Sequence, residues 1–94
     1  MDHGPSTDLL ADTHDFPCVY QFKAIGNLEA GFQSRVIDAV VAEVNSTGVV
    51  DSAVRETPGG RHVAVTLHVR VESPEQVRSI YARLKGLEGL LYLL

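Results

Sequence analysis

Arg61-His62-Val63-Ala64-Val65-Thr66-Leu67-His68-Val69-Arg70-Val71-Glu72-Ser73-Pro74-Glu75-Gln76-Val77 is the stretch whose reading decides the fold. Val63, Val65, Leu67, Val69 and Val71 alternate with His62, Ala64, Thr66, His68 and Arg70. A period of two sends successive side chains to opposite faces, so this is a strand with one apolar and one mixed face. The period breaks at Ser73-Pro74-Glu75-Gln76. Ser73 and Gln76 stand at capping-box spacing and Pro74 takes the first helical position, so a helix starts there.

Working outward from this stretch gives the rest of the order. Downstream, Val77, Ile80, Tyr81 and Leu84 mark the buried face of a helix from Pro74 to about Lys85, and Gly86 is its stop. A short strand over about 89–94 follows. Upstream, Pro58-Gly59-Gly60 reads as a hairpin turn, preceded by a strand of weaker alternation from Val49 to Thr57. Residues 28–46 read as a helix, because Phe32, Val36, Val40 and Val44 step by four with Ile37 and Val41 beside them. Asn45-Ser46-Thr47-Gly48 stops it. Phe16-Pro17 opens the folded part. Cys18, Tyr20, Phe22 and Ala24 form the core face of the first strand. Gly26-Asn27 ends that strand, with Asn27 placed to turn the chain or cap the helix.

The order β-α-β-β-α-β is the split β-α-β arrangement of the ferredoxin-like α+β fold. It predicts a four-stranded antiparallel sheet in the order 4-1-3-2 with two helices on one face. The strand over 61–71 is then central and its aliphatics meet the helices. At about 1.5–3 kcal/mol gross per buried aliphatic, that row is a main source of stability.

Composition bounds the function. A chain of 94 residues makes one domain at most. Its net charge of −4 is uneven: residues 1–15 hold Asp2, Asp8, Asp12 and Asp15 and no Lys or Arg, while 16–94 balance. We expect a disordered acidic tail over 1–15 and a single domain over 16–94. A neutral domain with an acidic tail is a poor candidate for sequence-independent nucleic-acid binding, which is driven by counterion release. Cys18 is the only cysteine, so no intrachain disulfide or Cys-x-x-Cys metal site forms, which fits a reducing cytoplasm. The polar N-terminus has no signal-peptide pattern, and Leu90 to Leu94 is too short to span a bilayer. No membrane association is expected.

With both helices on one side, the other sheet face is open. Alternation puts Val19, Gln21, Lys23 and Ile25 there, with His62, Ala64, Thr66, His68 and Arg70. An RNA-recognition module of this topology stacks bases on aromatics of the two central strands, and these positions hold none. His62 and His68 lie about 20 Å apart along one strand, too far to share a metal. His3 and His14 have no ligand spacing. Lys23, His68 and Arg70 form a cationic patch for an anion, although a solvated sheet face accounts for them more simply. Gly26-Asn27 is a second candidate, since it lies where a helix N-terminus would offer amides to an anion; a glycine that merely permits a turn is the simpler account. Cys18 points into the core and reads as an inert thiol. No nucleophile, paired-carboxylate or phosphate-loop constellation stands out, so neither an enzyme nor a cofactor is expected.

Phe16-Pro17, Lys23, Gly26, Phe32 and the valine ladder of the first helix, then the glycine turn before Val63-Ala64-Val65-Thr66, Ser73-x-x-Gln76 and Ile80-Tyr81-x-x-Leu84, make residues 16–94 similar to the YbeD-like family of small bacterial proteins, a domain of unknown function. The resemblance implies a ferredoxin-like fold close to ACT-type regulatory domains and no catalytic residues. The family's genes often lie beside lipoate-transfer genes, which implies a regulatory link to lipoate metabolism. Arg61-His62 stands where the family often has an aromatic, and the acidic-Arg-Pro-Gly opening of amino-acid-binding ACT domains is absent. The expected function is a cytoplasmic, non-enzymatic regulatory or binding module that acts through contacts with an unidentified protein. A homodimer through the apolar edge at Leu90–Leu94 is part of that expectation. The alternative is a small-molecule or anion sensor of ACT type; an RNA-binding module ranks below both.

Overall fold

The computed structural model describes residues 15–29 and 31–94. The tail predicted over 1–15 lies almost wholly outside the described residues. The elements run β1 (Cys18–Asn27), α1 (Phe32–Val44), a 3-10 turn (Ser46–Gly48), β2 (Val49–Glu56), β3 (His62–Val71), α2 (Pro74–Lys85) and β4 (Leu90–Leu93). The sheet is antiparallel in the order β2-β3-β1-β4, the ferredoxin-like arrangement predicted from the sequence.

The alternating run behaves as its period demands. Val65, Leu67, Val69 and Val71 are fully buried and Val63 nearly so. They meet Phe32, Val36, Val40 and Val44 of α1 and Val77, Ile80, Tyr81 and Leu84 of α2, all buried. From β1, Phe22 packs 5.0 Å, centroid to centroid, from both Tyr20 and Tyr81. The Tyr20 and Tyr81 hydroxyls lie 3.4 Å apart, and burial pushes the Tyr81 phenol well above its ordinary pKa. β2 explains its own weak pattern: past Val49 every residue is exposed, so neither face selects for apolar side chains. Its charged Asp51, Arg55 and Glu56 and a bulge after Val49 protect an exposed edge.

Three local expectations need correction. α1 starts at Phe32, not at 28. The chain stays extended further because the Asn27 amide donates to Gly89 O at 2.9 Å and the Leu28 amide to Arg61 O at 3.0 Å. The N-cap is Gly31, in the left-handed region at φ 92°, and Asn27 caps nothing. The first strand ends at Asn27, within the Gly26-Asn27 pair as expected, and Gly26 itself still pairs with Val63 and Leu90. Its glycine is required by close approach, since a Cβ there would lie 2.4 Å from Phe32 Cζ. Cys18 is half-buried rather than buried, being at the strand's first position.

α2 starts as predicted, with one difference. The Gln76 amide donates to Ser73 Oγ at 3.2 Å. The Gln76 side chain reaches one residue further back than a capping box does, and accepts from the Glu72 amide at 2.7 Å. Glu75 in the first turn and Arg83 and Lys85 in the last complement the helix dipole.

The Gly26–Phe32 contact yields a prediction. Gly26→Ala should cost about 1–3 kcal/mol in urea denaturation, the range for overpacking a core. Combined with Phe32→Leu it should cost less than the two single changes added together, because the smaller side chain clears the clash. Strict additivity would show that the ring is not what requires glycine.

Candidate functional site

The open sheet face is assembled from all four strands. Pairing sets Asp51, His68 and Gln21 in one row, Ala53, Thr66 and Lys23 in the next, then Arg55, Ala64, Ile25 and Tyr92. Leu94 continues the Lys23 row: its amide donates to Lys23 O at 2.8 Å and its carbonyl accepts from Lys23 N at 3.1 Å. Two bulges decide who is present. The extra Val50 brings Asp51 opposite His68, and the extra Leu91 brings Tyr92 opposite Ile25. Sequence alternation alone finds neither Asp51 nor Tyr92, because a bulge shifts the face without leaving a signature in the period.

The predicted candidates divide. His68 lies within a cross-strand chain: its Nε2 is 3.2 Å from Gln21 Oε1 and its Nδ1 is 3.7 Å from Asp51 Oδ2. Both ring nitrogens therefore have neighbours. Lys23 is the diagonal neighbour of His68, and Arg70 follows His68 by two positions along β3, so these three do share a surface. Arg70 leans to the sheet end, with Nε 3.8 Å from Glu72 Oε2. Gly26 and Asn27 lie at the opposite end, seven positions from the Arg70 row, about 23 Å away.

That far corner is closed by its own groups. The Phe32 ring covers Gly26. Arg35 pairs with the Glu29 carboxylate, donates to Glu88 O at 3.2 Å and sits 5.8 Å above the Phe32 ring. The junction expected to offer helix amides to an anion instead presents a carboxylate.

Arg70 belongs to a different feature. With Glu43, Asn45, Thr47, Glu72 and Gln76 it lines a cavity of about 280 Å³ between the end of α1 and the start of α2. Asn45, at φ 62°, ends α1; its Oδ1 accepts from the Thr47 amide at 3.0 Å. The Gln76 side-chain amide donates to Glu43 O at 3.3 Å and Arg83 Nε to Glu43 Oε1 at 2.8 Å. The walls are polar and already hydrogen-bonded to one another.

The face is chemically lopsided. Lys23, Arg55 and Arg70 stand against two carboxylates, Asp51 beside His68 and Glu72 beside Arg70 at the sheet end. Lys23 and Arg55 make no ion pair among the described residues. Apolar groups interrupt the charge: Val19 is 50% exposed, Tyr92 65% and Leu94 63%. Tyr92 is an aromatic on this face, but on the edge strand rather than a central one. Among the described residues no group of three metal-ligating side chains converges. No described helix is long and apolar enough to cross a membrane.

The fold and this uncovered sheet define a small ferredoxin-like α+β module. The family model described as "Protein of unknown function (DUF493)" matches residues 11–94, and the chain belongs to that family, the one to which the YbeD-like resemblance points. A UPF0250 protein of Pseudomonas syringae pv. tomato is 32% identical over 83 residues, covering 85% of this chain and 88% of the relative. UPF0250 proteins of Shewanella woodyi and Shewanella sp. (strain ANA-3) are 33% and 29% identical over 76 residues, covering 81% of this chain and 84% of each relative.

Cys18 gives this region a chemical test. Partial burial pushes its thiol up, Asp15 adds to the rise, and Arg70 pulls it down. Iodoacetamide should modify Cys18 more slowly at pH 8 than a free cysteine, and faster as pH rises through 9 and above. Arg70→Ala should slow the reaction and Asp15→Asn should speed it, since the thiolate fraction controls the rate.

Proposed function

We propose that this chain is a non-enzymatic, cytoplasmic binding or regulatory module that acts through a protein partner docked on the open face of its sheet. The observation that carries the reading is the composition of that face: Lys23 and Arg55, which make no ion pair among the described residues, beside exposed Tyr92 and Leu94, on a surface no described element covers. Aromatic groups interleaved with Arg and depleted of acids are the composition of interface cores. A partner that presents carboxylates next to apolar side chains complements it. The lipoate connection implied by the family resemblance supports seeking the partner in that pathway first. Self-association along β4, whose outer edge is exposed at Leu91, is part of the reading.

Site-specific photo-cross-linking in the native cell tests this. A cross-linker at Thr66 should capture a defined protein, one at Leu91 a second copy of the chain, and one at Asp38, on the helix side, neither. The Lys23→Glu/Arg55→Glu double variant should cut capture at Thr66 at least tenfold. Capture from Asp38 alone would overturn the open-face assignment.

A small-molecule sensor is the second reading, favoured by the cavity at Arg70. A single cation between Glu43 and Glu72 suits a small zwitterion with a carboxylate directed at Arg70. An amino-acid panel should then contain a compound that raises the melting temperature of the native chain and not of Arg70→Ala.

A further inference from the structure

We infer that a second copy of this chain docks along the outer edge of β2, antiparallel about a two-fold axis through Ala53, and continues the sheet from one copy into the next. The backbone of that edge is open to it. The Thr57 amide donates to His62 O at 3.0 Å, and bonded and non-bonded pairs alternate along an antiparallel ladder. Asp51, Ala53 and Arg55 therefore turn their amides and carbonyls toward β3, while Ser52, Val54 and Glu56 turn theirs outward. No described strand pairs with β2 on that side, and every residue from Val50 to Glu56 is exposed. Such a row is a template for another strand.

Charge selects the occupant and the register. Asp51 and Arg55 stand two residues to either side of Ala53. A two-fold axis through Ala53 sets Asp51 of each copy opposite Arg55 of the other. Both bond to β3, so across the axis they form non-hydrogen-bonded pairs, in which the Cα atoms approach to about 4.5 Å. Ser52 of each copy then exchanges amide-to-carbonyl bonds with Val54 of the other. An axis through Ser52 instead sets Asp51 against Ala53 and Arg55 against Val49. One through Val54 sets Asp51 against Thr57 and Arg55 against Ala53. An axis between residues opposes an outward-bonding residue to an inward-bonding one, and no ladder forms. The charges that guard this edge against other strands thus cancel against its own copy in one register. Arg55 makes no ion pair among the described residues, and Asp51 has His68 at 3.7 Å.

An apolar strip runs beside the same edge. Val54 lies opposite Val65 on the helix side of the sheet, yet is 41% exposed. α1 packs against β2. The Asp38-Ala39-Ala42 flank of α1 faces α2 across a groove bounded by Arg83 and Leu87. Half-buried Ile37 and Val41 lie on its opposite flank, toward the β2 edge. Edge pairing brings Val54, Ile37 and Val41 of the two copies together and removes them from water. This adds a second edge to the self-association proposed at β4, and it requires neither β4 nor a partner on the open face.

Sedimentation equilibrium of the full chain, taken to millimolar concentration, tests the inference. The unchanged chain should form a reversible dimer. Asp51→Arg or Arg55→Asp alone should weaken it at least tenfold, because each sets like charges directly opposite one another. The double change Asp51→Arg/Arg55→Asp should restore it to within about threefold, since the pair acts as a unit. Both positions are exposed, and a thermal melt of each variant checks the fold. Cross-linking gives a second readout. Ala53→Cys in a Cys18→Ser background should oxidise to a disulfide-linked dimer, because Cα atoms facing each other on the axis are within bridging distance, and Glu56→Cys should not. A monomer at every concentration, single changes without effect, or a double change as weak as the single ones would overturn the inference. So would loss of the dimer in Leu91→Glu with the β2 changes inert, which would assign self-association to β4 alone. Capture of a partner at Thr66 is read separately, so failure here is distinguishable from failure of the open-face reading.

Discussion

The rest of the structure depends on burial of the β3 aliphatic row. Val63 to Val71 is hydrogen-bonded on both edges and covered by both helices, so its position fixes three layers of contact at once. β1 pairs with it along its whole length, and the valine ladder of α1 and the Val77-Ile80-Tyr81-Leu84 face of α2 pack onto it. Because a strand has period two, burying those five side chains obliges Ala64, Thr66, His68 and Arg70 to face the other way. The open face is the complement of the core. A one-residue slip of β3 would exchange the two, and the burial of the whole aliphatic row opposes it.

A second contact closes one end of the sandwich. Phe32 lies against Gly26, and Arg35 ties the segment before α1 to the turn before β4 through Glu29 and Glu88. These groups consume the space and the charge that an anion at the Gly26-Asn27 corner would need. A glycine at a strand-to-helix junction is ambiguous in sequence between an approaching ligand and an approaching side chain. Here the approaching group is the chain's own phenyl ring, six positions later.

What was legible in the sequence was whatever a period encodes. The strand 61–71, the α2 start at Ser73-Pro74, the hairpin glycines and the helix faces all follow from local pattern, and the sheet order follows from topology. What was not legible depends on distant partners. The late start of α1 is set by carbonyls of Arg61 and Gly89, far away in sequence. The bulges at Val50 and Leu91 are visible only once strands are paired, and they put Asp51 beside His68 and Tyr92 on the open face. Lys23, His68 and Arg70 were readable as sharing a face, since alternation suffices for that. The cavity at Arg70 was not, because it is formed by the end of α1 and the start of α2, brought together by packing.

The division of charge distinguishes the helix layer from the open sheet face. On the helix layer the arginines Arg35 and Arg83 each hold a carboxylate, Glu29 and Glu43, so that surface is largely neutralised within itself. Interspersed signs of this kind keep a surface soluble and unselective. On the sheet face the cations stand in excess, and the intervening positions are Ile25, Ala64, Tyr92 and Leu94 rather than acids. In a chain of net charge −4, solubility does not require a surface with a cationic excess and exposed aromatic and aliphatic groups. Such a surface gains from being covered by carboxylates and apolar side chains together. The proposed partner-binding reading rests on this asymmetry and not on the most regular part of the chain.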